Sequence, residues 1–356
     1  MDSVESIIWL KKNNLFKQCL KYATQLKVVF NTCLDVKEED VLIVGDTGYK
    51  DHYIAPLFAG SCFLVARSLN LNAKLVLQEA KKKGEYASGE VKSAIEMIRP
   101  GSVLLLSLSE RLGSLYSSGK TFRRFCQERR LRYTTTPSLG PLDTNLMTML
   151  VKTINVDYKS MTWIHKEVKK MLDLGDVVHI TTKAGTDLRV PINGCSAIAS
   201  DGIYTKPGLG GNLPGGEVFI APAKKGVEGK IVVDASSRNM NTTVLVTKPF
   251  TIFVEKGKVV DIQGGKEADM LRESIEWAEK NAKYDWGIKR IGELGIGLNP
   301  NARISGSMII DEKVKKTAHV AIGSNYWFGG TVYAMIHLDQ VFKNPKITVD
   351  GRFLEL

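Results

Sequence analysis

The sequence predicts an α/β N-terminal domain with a mostly parallel sheet, residues 1–150, followed by a β-rich α+β domain, residues 151–356. Three observations predict it. Short apolar β-rich runs alternate with helical patterns through the first 150 residues, the texture of a parallel sheet covered by helices on both faces. From about residue 151 glycine-rich loops and many short β runs take over. No internal repeat, low-complexity tract or Pro/Ser linker intervenes, so the two domains are expected to pack closely.

In chain order, residues 3–35 carry a helical pattern, and VLIVGD (41–46) is the first strand. A helix over about 53–69, the strand AKLVLQ (73–78), a helix over about 88–98 and the strand SVLLLSLS (102–109) follow. A further helix leads to RYTTT (132–136). Neither GxGxxG nor a P-loop occurs in this half, so it offers no phosphate-cradling turn. Its expected role is structural: a cavity wall or a dimerisation surface. A helix near 157–173 then opens the second half and leads to the strands VVHITT (177–182) and DLRVPI (187–192). GEVFIAP, GKIVVDAS and PFTIFVEKGKVVDIQG continue the β texture, which is expected to form one domain closing on itself, and a single strong helix remains at about 266–282.

Composition removes several function classes. No apolar run approaches the roughly 18 residues that span a bilayer, and MDSVESIIWLKKNN places Asp2 and Glu5 where a secretory leader carries positive charge. A cytoplasmic protein with no membrane partner is the expectation. The five cysteines (Cys19, Cys33, Cys62, Cys126, Cys195) are scattered and form no CxxC pair, which argues against disulfides and zinc ribbons and for buried thiols. The formal charge is +11, densest from Lys120 to Arg132. Phe122, Phe125 and Cys126 recur there at helical spacing, so the run reads as an amphipathic helix with a solvated basic face. No nucleic-acid-binding motif accompanies it, and no nucleic-acid partner is expected.

The chemistry concentrates in the second half. His337 and Asp339 lie two apart in YAMIHLDQVF, so on a strand both face one side while Leu338 faces the other. An inward Asp on an apolar strand needs a metal or a cation beside it, although a surface salt bridge would use the same pair. His319 sits in the apolar run TAHVAIG, where a lone histidine is commonly a satisfied core residue. Two histidines with a carboxylate are nevertheless the ingredients of open zinc or iron sites. Glu217 follows the glycine-rich GLGGNLPGG, and Glu293 lies in RIGELGIGLNP among glycines and apolar residues. Buried there without compensation, either carboxylate would be costly; as loop-bracing acids both would be ordinary. His52, His165 and His179 stand in no such company and are assigned to structure.

NLPGGEVFIAP, GELGIGLNPNA, DEKVKKTAHVAIG, FGGTVYAMIHLD and VDGRFLEL resemble the thermophilic-type metallo-aminopeptidases, the aminopeptidase T and aminopeptidase S family. The resemblance covers about residues 150–356, with the motifs in the family's order. It implies metal ligation by Glu217, Glu293, His319, His337 and Asp339, with Glu293 able to bridge two ions, and a catalytic role for Tyr326 in GSNYWFGG. It implies two divalent ions (zinc, cobalt or manganese), peptide substrates cleaved at the N-terminus, and a homodimer. Glu293 is the first choice for general base or bridge and Glu217 the second, while Trp327 and Phe328 either line the pocket or pack. One departure matters: the segment between His319 and the His337–Asp339 pair is short, so residue preference is not carried over. The same fold family includes ring-cleaving dihydroxypyridine dioxygenases. His319, His337 and Asp339 alone would make a mononuclear Fe(II) set, and this is the alternative function.

Overall fold

A computed structural model describes residues 1–115, 122–223 and 226–355; Lys120 and Thr121 of the basic run lie outside them. The chain divides into two compact units, Met1–Tyr158 with Gly202–Gly215, and Lys159–Asp201 with Gly216–Leu356.

The first unit contains the strands β1 (Val41–Asp46), β2 (Ala73–Gln78), β3 (Val103–Ser107) and β4 (Arg132–Thr136). They pair in parallel in the order β2-β1-β3-β4. All six residues of β1 and all five of β3 are buried, which is why these strands read as unbroken apolar runs and not as alternating ones. The helices α1 (Ser3–Lys12), α2 (Phe16–Ala23), α3 (Ile54–Ser68), α4 (Gly89–Glu96), α5 (Phe122–Glu128) and α6 (Met147–Ile154) accompany them. The sequence starts α1 with a capping box: Asp2 accepts from the Val4 and Glu5 amides while Glu5 accepts from the Asp2 amide. The pattern over 3–35 is broken at Asn14, which has positive φ, so α1 and α2 are separate helices. In α5, Phe125 and Cys126 are buried and Arg123 and Arg124 are not, the amphipathic arrangement their spacing predicts.

The second unit begins in α7 (Tyr158–Leu174) and contains β5 (Val177–Thr181), β6 (Asp187–Pro191) and β7 (Ile198–Ser200). The chain then returns to the first unit, where β8 (Gly210–Asn212) lies parallel to β4. Its two glycines give no apolar periodicity, and sequence reading passes over it. The rest of the second unit holds β9 (Glu217–Ile220), β10 (Glu228–Val233), β11 (Ser236–Arg238), β12 (Thr243–Leu245), β13 (Phe250–Glu255) and β14 (Lys258–Gln263). The helix α8 (Lys266–Asn281), β15 (Ile291–Gly297) and the short α9 (Met308–Asp311) follow, then β16 (Thr317–Gly323), β17 (His337–Lys343), β18 (Lys346–Val349) and β19 (Arg352–Phe353).

These strands form two open seven-stranded sheets, β14-β13-β10-β6-β5-β18-β19 and β12-β11-β17-β16-β15-β9-β7. The expected single closing β domain is therefore two sheets. One continuous core lies under both, with Ile180, Val190, Ile231 and Ile252 from the first and Val218, Ile296, Val320 and Leu338 from the second. The α/β half followed by a β-rich half matches the predicted fold class. No helix among the described residues is long and apolar enough to cross a membrane.

Candidate metal centre

The site is built on the central antiparallel strands β9, β15, β16 and β17. In β16, Ala318, Val320 and Ile322 belong to the shared core, so His319 and Ala321 face away from it. The same alternation sends Val218 and Ile220, Leu294 and Ile296, and Leu338 and Phe342 to the core. Glu217, Glu293, His337 and Asp339 are thus left on the face that carries His319. The register gathers them: Gly297 pairs with Glu217, Gly295 with His319, Ala321 with both Glu293 and Asp339, and Gly323 with His337.

Two glycines allow this convergence. A Cβ on Gly295 would lie 2.1 Å from His319 Nε2 and 2.2 Å from Cε1, because the imidazole lies across that position of β15. Gly216, immediately before Glu217, has φ +136°, and a Cβ there would come 2.4 Å from the Asn299 Cβ. Its amide donates to Ser200 O and its carbonyl accepts from Leu298 N, both at 2.7 Å. The loop that delivers Glu217 is so pinned from both sides by backbone, and only glycine fits.

All five predicted ligands are brought together. His319 Nε2 lies 3.3 Å from Glu293 Oε1 and 3.6 Å from Glu217 Oε2. His337 Nε2 lies 3.6 Å from Glu293 Oε2 and 3.2 Å from Asp339 Oδ1. Glu293 therefore turns one oxygen to each histidine. Among the described residues, donor atoms within 4.8 Å of one another form three groups: Glu217, Glu293 and His319; Glu293, His337 and Asp339; and Glu312, His319 and Asp339. The set His319, His337 and Asp339 is not one of them.

Four buried atoms here, Glu217 Oε2, Glu293 Oε2, His319 Nδ1 and Asp339 Oδ1, make no hydrogen bond of good geometry, and the three carboxylate oxygens have only the imidazole Nε2 atoms 3.2–3.6 Å away. Poorly partnered carboxylate oxygens in a buried site are expensive. Together with the mixed N and O donor set they fit divalent ions. Electrostatics point the same way. Burial alone would lower the imidazole pKa values; contact with Glu293 and the neighbouring acids instead pushes His319 up to about 9. Asp339, with Glu293, does the same for His337, to about 10. Burial opposes the Asp339 charge too, yet His337 holds it at about 2. Glu293 moves up, because burial outweighs its histidine neighbours. The acids and imidazoles of the cluster thus favour each other's charged forms.

His337 has a fixed orientation, since its Nδ1 donates to Ser324 O at 2.8 Å. That leaves Nε2 directed at Glu293 and Asp339, the way a supporting carbonyl orients a metal-binding imidazole. Tyr326, Trp327 and Phe328 form a single helical turn. Phe328 is buried against Phe219, 5.2 Å between centroids, and Trp327 lies 6.0 Å from the His337 ring. The Tyr326 ring is 66% exposed and edge-on to Tyr333. His165 bonds within its helix to Met161 O, His52 bonds to Leu142 O and His179 pairs with Asp187; none joins the cluster. The five cysteines are free and all but Cys195 are buried.

Sequence reading missed three residues. Glu312 and Lys313 follow α9, and the fully buried Lys313 ammonium contacts both Glu217 Oε1 and Glu312 Oε1. DEKVKKTAHVAIG stood out for its histidine and gave Glu312 and Lys313 no role; their adjacency to the His319 strand was the available signal. Asn325, also buried, donates to Gly292 O and accepts from Val332 N. It ties the 325–332 loop to the residue beside Glu293.

The fold and the site together define a class: an α/β unit followed by a two-sheet unit that carries a buried cluster of carboxylates and histidines able to hold a metal ion. Within that class, the sequence pattern described as NicX: 2,5-dihydroxypyridine 5,6-dioxygenase matches residues 155–354, and the chain belongs to that family. It is 26% identical over 188 residues to the 2,5-dihydroxypyridine 5,6-dioxygenase of Pseudomonas putida (strain KT2440), covering 50% of this chain and 52% of that protein. It is 26% identical over 227 residues to aminopeptidase AmpS of Bacillus subtilis (strain 168), covering 56% of this chain and 52% of that one. Aminopeptidase T of Thermus thermophilus is 29% identical over 159 residues, 40% of this chain and 36% of that one. The chain spans about half the length, or less, of the curated relatives it matches. Among solved structures, the P. putida dioxygenase superposes with TM-score 0.72 at 19% identity, over 94% of this chain and 95% of that one. Wild-type AmpT from T. thermophilus superposes with TM-score 0.60 at 15% identity, over 96% and 100%. The motif resemblance to the aminopeptidases therefore stands, and the dioxygenase is a relative in the same fold family.

Proposed function

We propose that the chain is a metal-dependent aminopeptidase that hydrolyses the N-terminal residue from peptides at a two-ion site formed by Glu217, Glu293, His319, His337 and Asp339. The single observation that carries this reading is Glu293. Its two oxygens point to two different histidines, and each histidine has a further carboxylate of its own, Glu217 or Asp339. A shared carboxylate between two N,O donor groups is the layout of a two-ion centre. Two divalent ions held there (zinc, cobalt or manganese) would supply a water of lowered pKa and polarise the scissile carbonyl.

The chain's own residues do the rest. Glu293 serves as bridge or general base, and Glu217, whose Oε2 makes no hydrogen bond of good geometry, is the second candidate for the base. His337, oriented by Ser324 O, keeps its Nε2 toward the centre. Tyr326, on the turn that carries Trp327, donates to the oxyanion that develops on the carbonyl. Peptides are the proposed substrates, a homodimer the proposed assembly and the cytoplasm the proposed location. Residues 1–150 take a structural or dimer-forming role.

The second reading is a mononuclear Fe(II) ring-cleaving dioxygenase, favoured by the family match over residues 155–354 and using His319, His337 and Asp339. Metal content separates the two. The protein is purified without chelator, replenished with zinc, cobalt, manganese or iron, and assayed for bound ions and for release of N-terminal residues from a peptide panel. Two ions per chain, both weakened by Glu293→Gln, with peptide hydrolysis, is the expected result. One iron per chain, unaffected by Glu217→Gln, would transfer the assignment to the dioxygenase.

A further inference from the structure

Among the described residues, Lys313 and its neighbour Glu312 belong to the cluster and neither functional reading uses them. The Lys313 side chain is fully buried, and its ammonium lies between Glu217 Oε1 and Glu312 Oε1. A fully buried lysine is rare unless paired, and here both pairs are carboxylates of the same site. Of the four acids in the cluster, two, Glu217 and Glu312, contact this cation. Its placement is not symmetric. The ammonium touches Glu217, a member of the group with Glu293 and His319, and Glu312, a member of the group with His319 and Asp339, while it touches none of Glu293, His337 and Asp339 among the described contacts.

We propose that Lys313 is a built-in cation of the metal centre that restricts Glu217 to one oxygen, Oε2, and makes the Glu217–Glu293–His319 position the weaker of the two. This inference rests on the two-ion reading and deepens it. The physical chain is short. Oε1 of Glu217 is occupied by the ammonium, so Glu217 can offer an incoming ion one oxygen and not a bidentate grip. The positive charge also repels a second cation bound to the same carboxylate, and like charges a few ångströms apart interact strongly where water is excluded. The Glu293–His337–Asp339 position feels that charge from farther away. The two ions should load in order, first beside His337 and then beside Glu217. Lys313 also spares the metal-free protein an unpaired Glu217–Glu312 pair, so one residue stabilises the empty site and tempers the loaded one.

The experiment is a calorimetric titration of metal-free protein with Mn²⁺, together with its thermal unfolding, for the native chain and for Lys313→Gln. The native chain is expected to bind two ions with separated affinities. Lys313→Gln should tighten the weaker one by on the order of 10–100-fold, from the charge removed, and should unfold at a lower temperature when metal-free. A structural role alone would lower stability without tightening any binding. If Lys313→Gln fails to fold, Lys313→Met refolded with Mn²⁺ takes its place, since it leaves no polar atom unpaired at that position.

Weaker or unchanged binding in a folded variant overturns the role of Lys313 while leaving the two-ion reading intact. One ion in the native chain but two in the variant supports Lys313 as the built-in cation and overturns two-ion loading of the native chain. One ion in both, equally tight, overturns both ideas.

Discussion

Replacing Gly295 by alanine tests how the sheet positions its histidine. An added Cβ would lie 2.1 Å from His319 Nε2, 2.2 Å from Cε1 and 2.9 Å from Cδ2, closer than real Cβ contacts occur. The ring cannot simply swing away. His319 is fully buried, its strand neighbours Ala318 and Val320 are locked in the core, and Gly295 is held in register with Phe219 on its other side. One methyl group forced into such a site costs about 1–3 kcal/mol. At about 2–4 °C per kcal/mol for a unit of this size, the melting temperature should fall by roughly 2–12 °C. The functional loss should be larger. Nε2 is the atom 3.3 Å from Glu293 and 3.6 Å from Glu217. Its displacement removes a donor from that group and should weaken an ion there by more than the roughly 10–100-fold that losing a mere supporting contact costs. Thermal unfolding and bound metal per chain, compared with Gly89→Ala, provide the assay. An alanine at Gly89 meets nothing within 4 Å and should be neutral or slightly stabilising. Native metal content and melting temperature in Gly295→Ala would refute the geometry of the site.

Four further outcomes follow from the same geometry. Metal uptake should strengthen as pH rises toward 9–10, with proton release, because His319 (about 9) and His337 (about 10) hold protons in the metal-free site; pH-independent affinity would contradict this. The sign for metal-free stability is the reverse. Both histidine pKa values are raised, so their contribution is complete below the ordinary value of 6.5 and is lost as pH climbs through 9 and then 10. Asp339 contributes above 3.8 and fails as pH falls through about 2; unfolding followed across pH reads both edges. Asn325→Ala removes the clamp between Gly292 O and Val332 N, leaving buried backbone groups unpaired, and should cost about 1–3 kcal/mol. Faster amide exchange over 325–332 would register it, and unchanged exchange would contradict the clamp. Tyr326→Phe should lower peptide turnover by an amount near 3 kcal/mol in barrier while leaving metal content unchanged; equal turnover would remove Tyr326 from the chemistry.

Much of this was legible in the sequence. The two-residue spacing of His337 and Asp339 places both side chains on one face of their strand, because a strand's period is fixed at two, whereas His319 stood out only beside that pair. Unbroken apolar runs marked the buried parallel strands, and glycine-rich surroundings singled out Glu217 and Glu293. Missed elements share a cause. The strand Gly210–Asn212 carries no apolar pattern and exists because β4 offers an edge for it. Lys313 looks like one more charge in a basic run, and its burial depends on two acids, one of them 96 residues earlier.

The sequence by itself determined which residues could do chemistry and that His337 and Asp339 share one face of their strand, since both follow from residue type and local period. Tertiary structure alone decided which of those faces meet. Strand order and register set Gly295 opposite His319 and Ala321 between Glu293 and Asp339. They also enclosed Lys313 with Glu217, so that its charge acts inside the site. Register is a property of pairs of strands distant in the chain, fixed by the core they bury together.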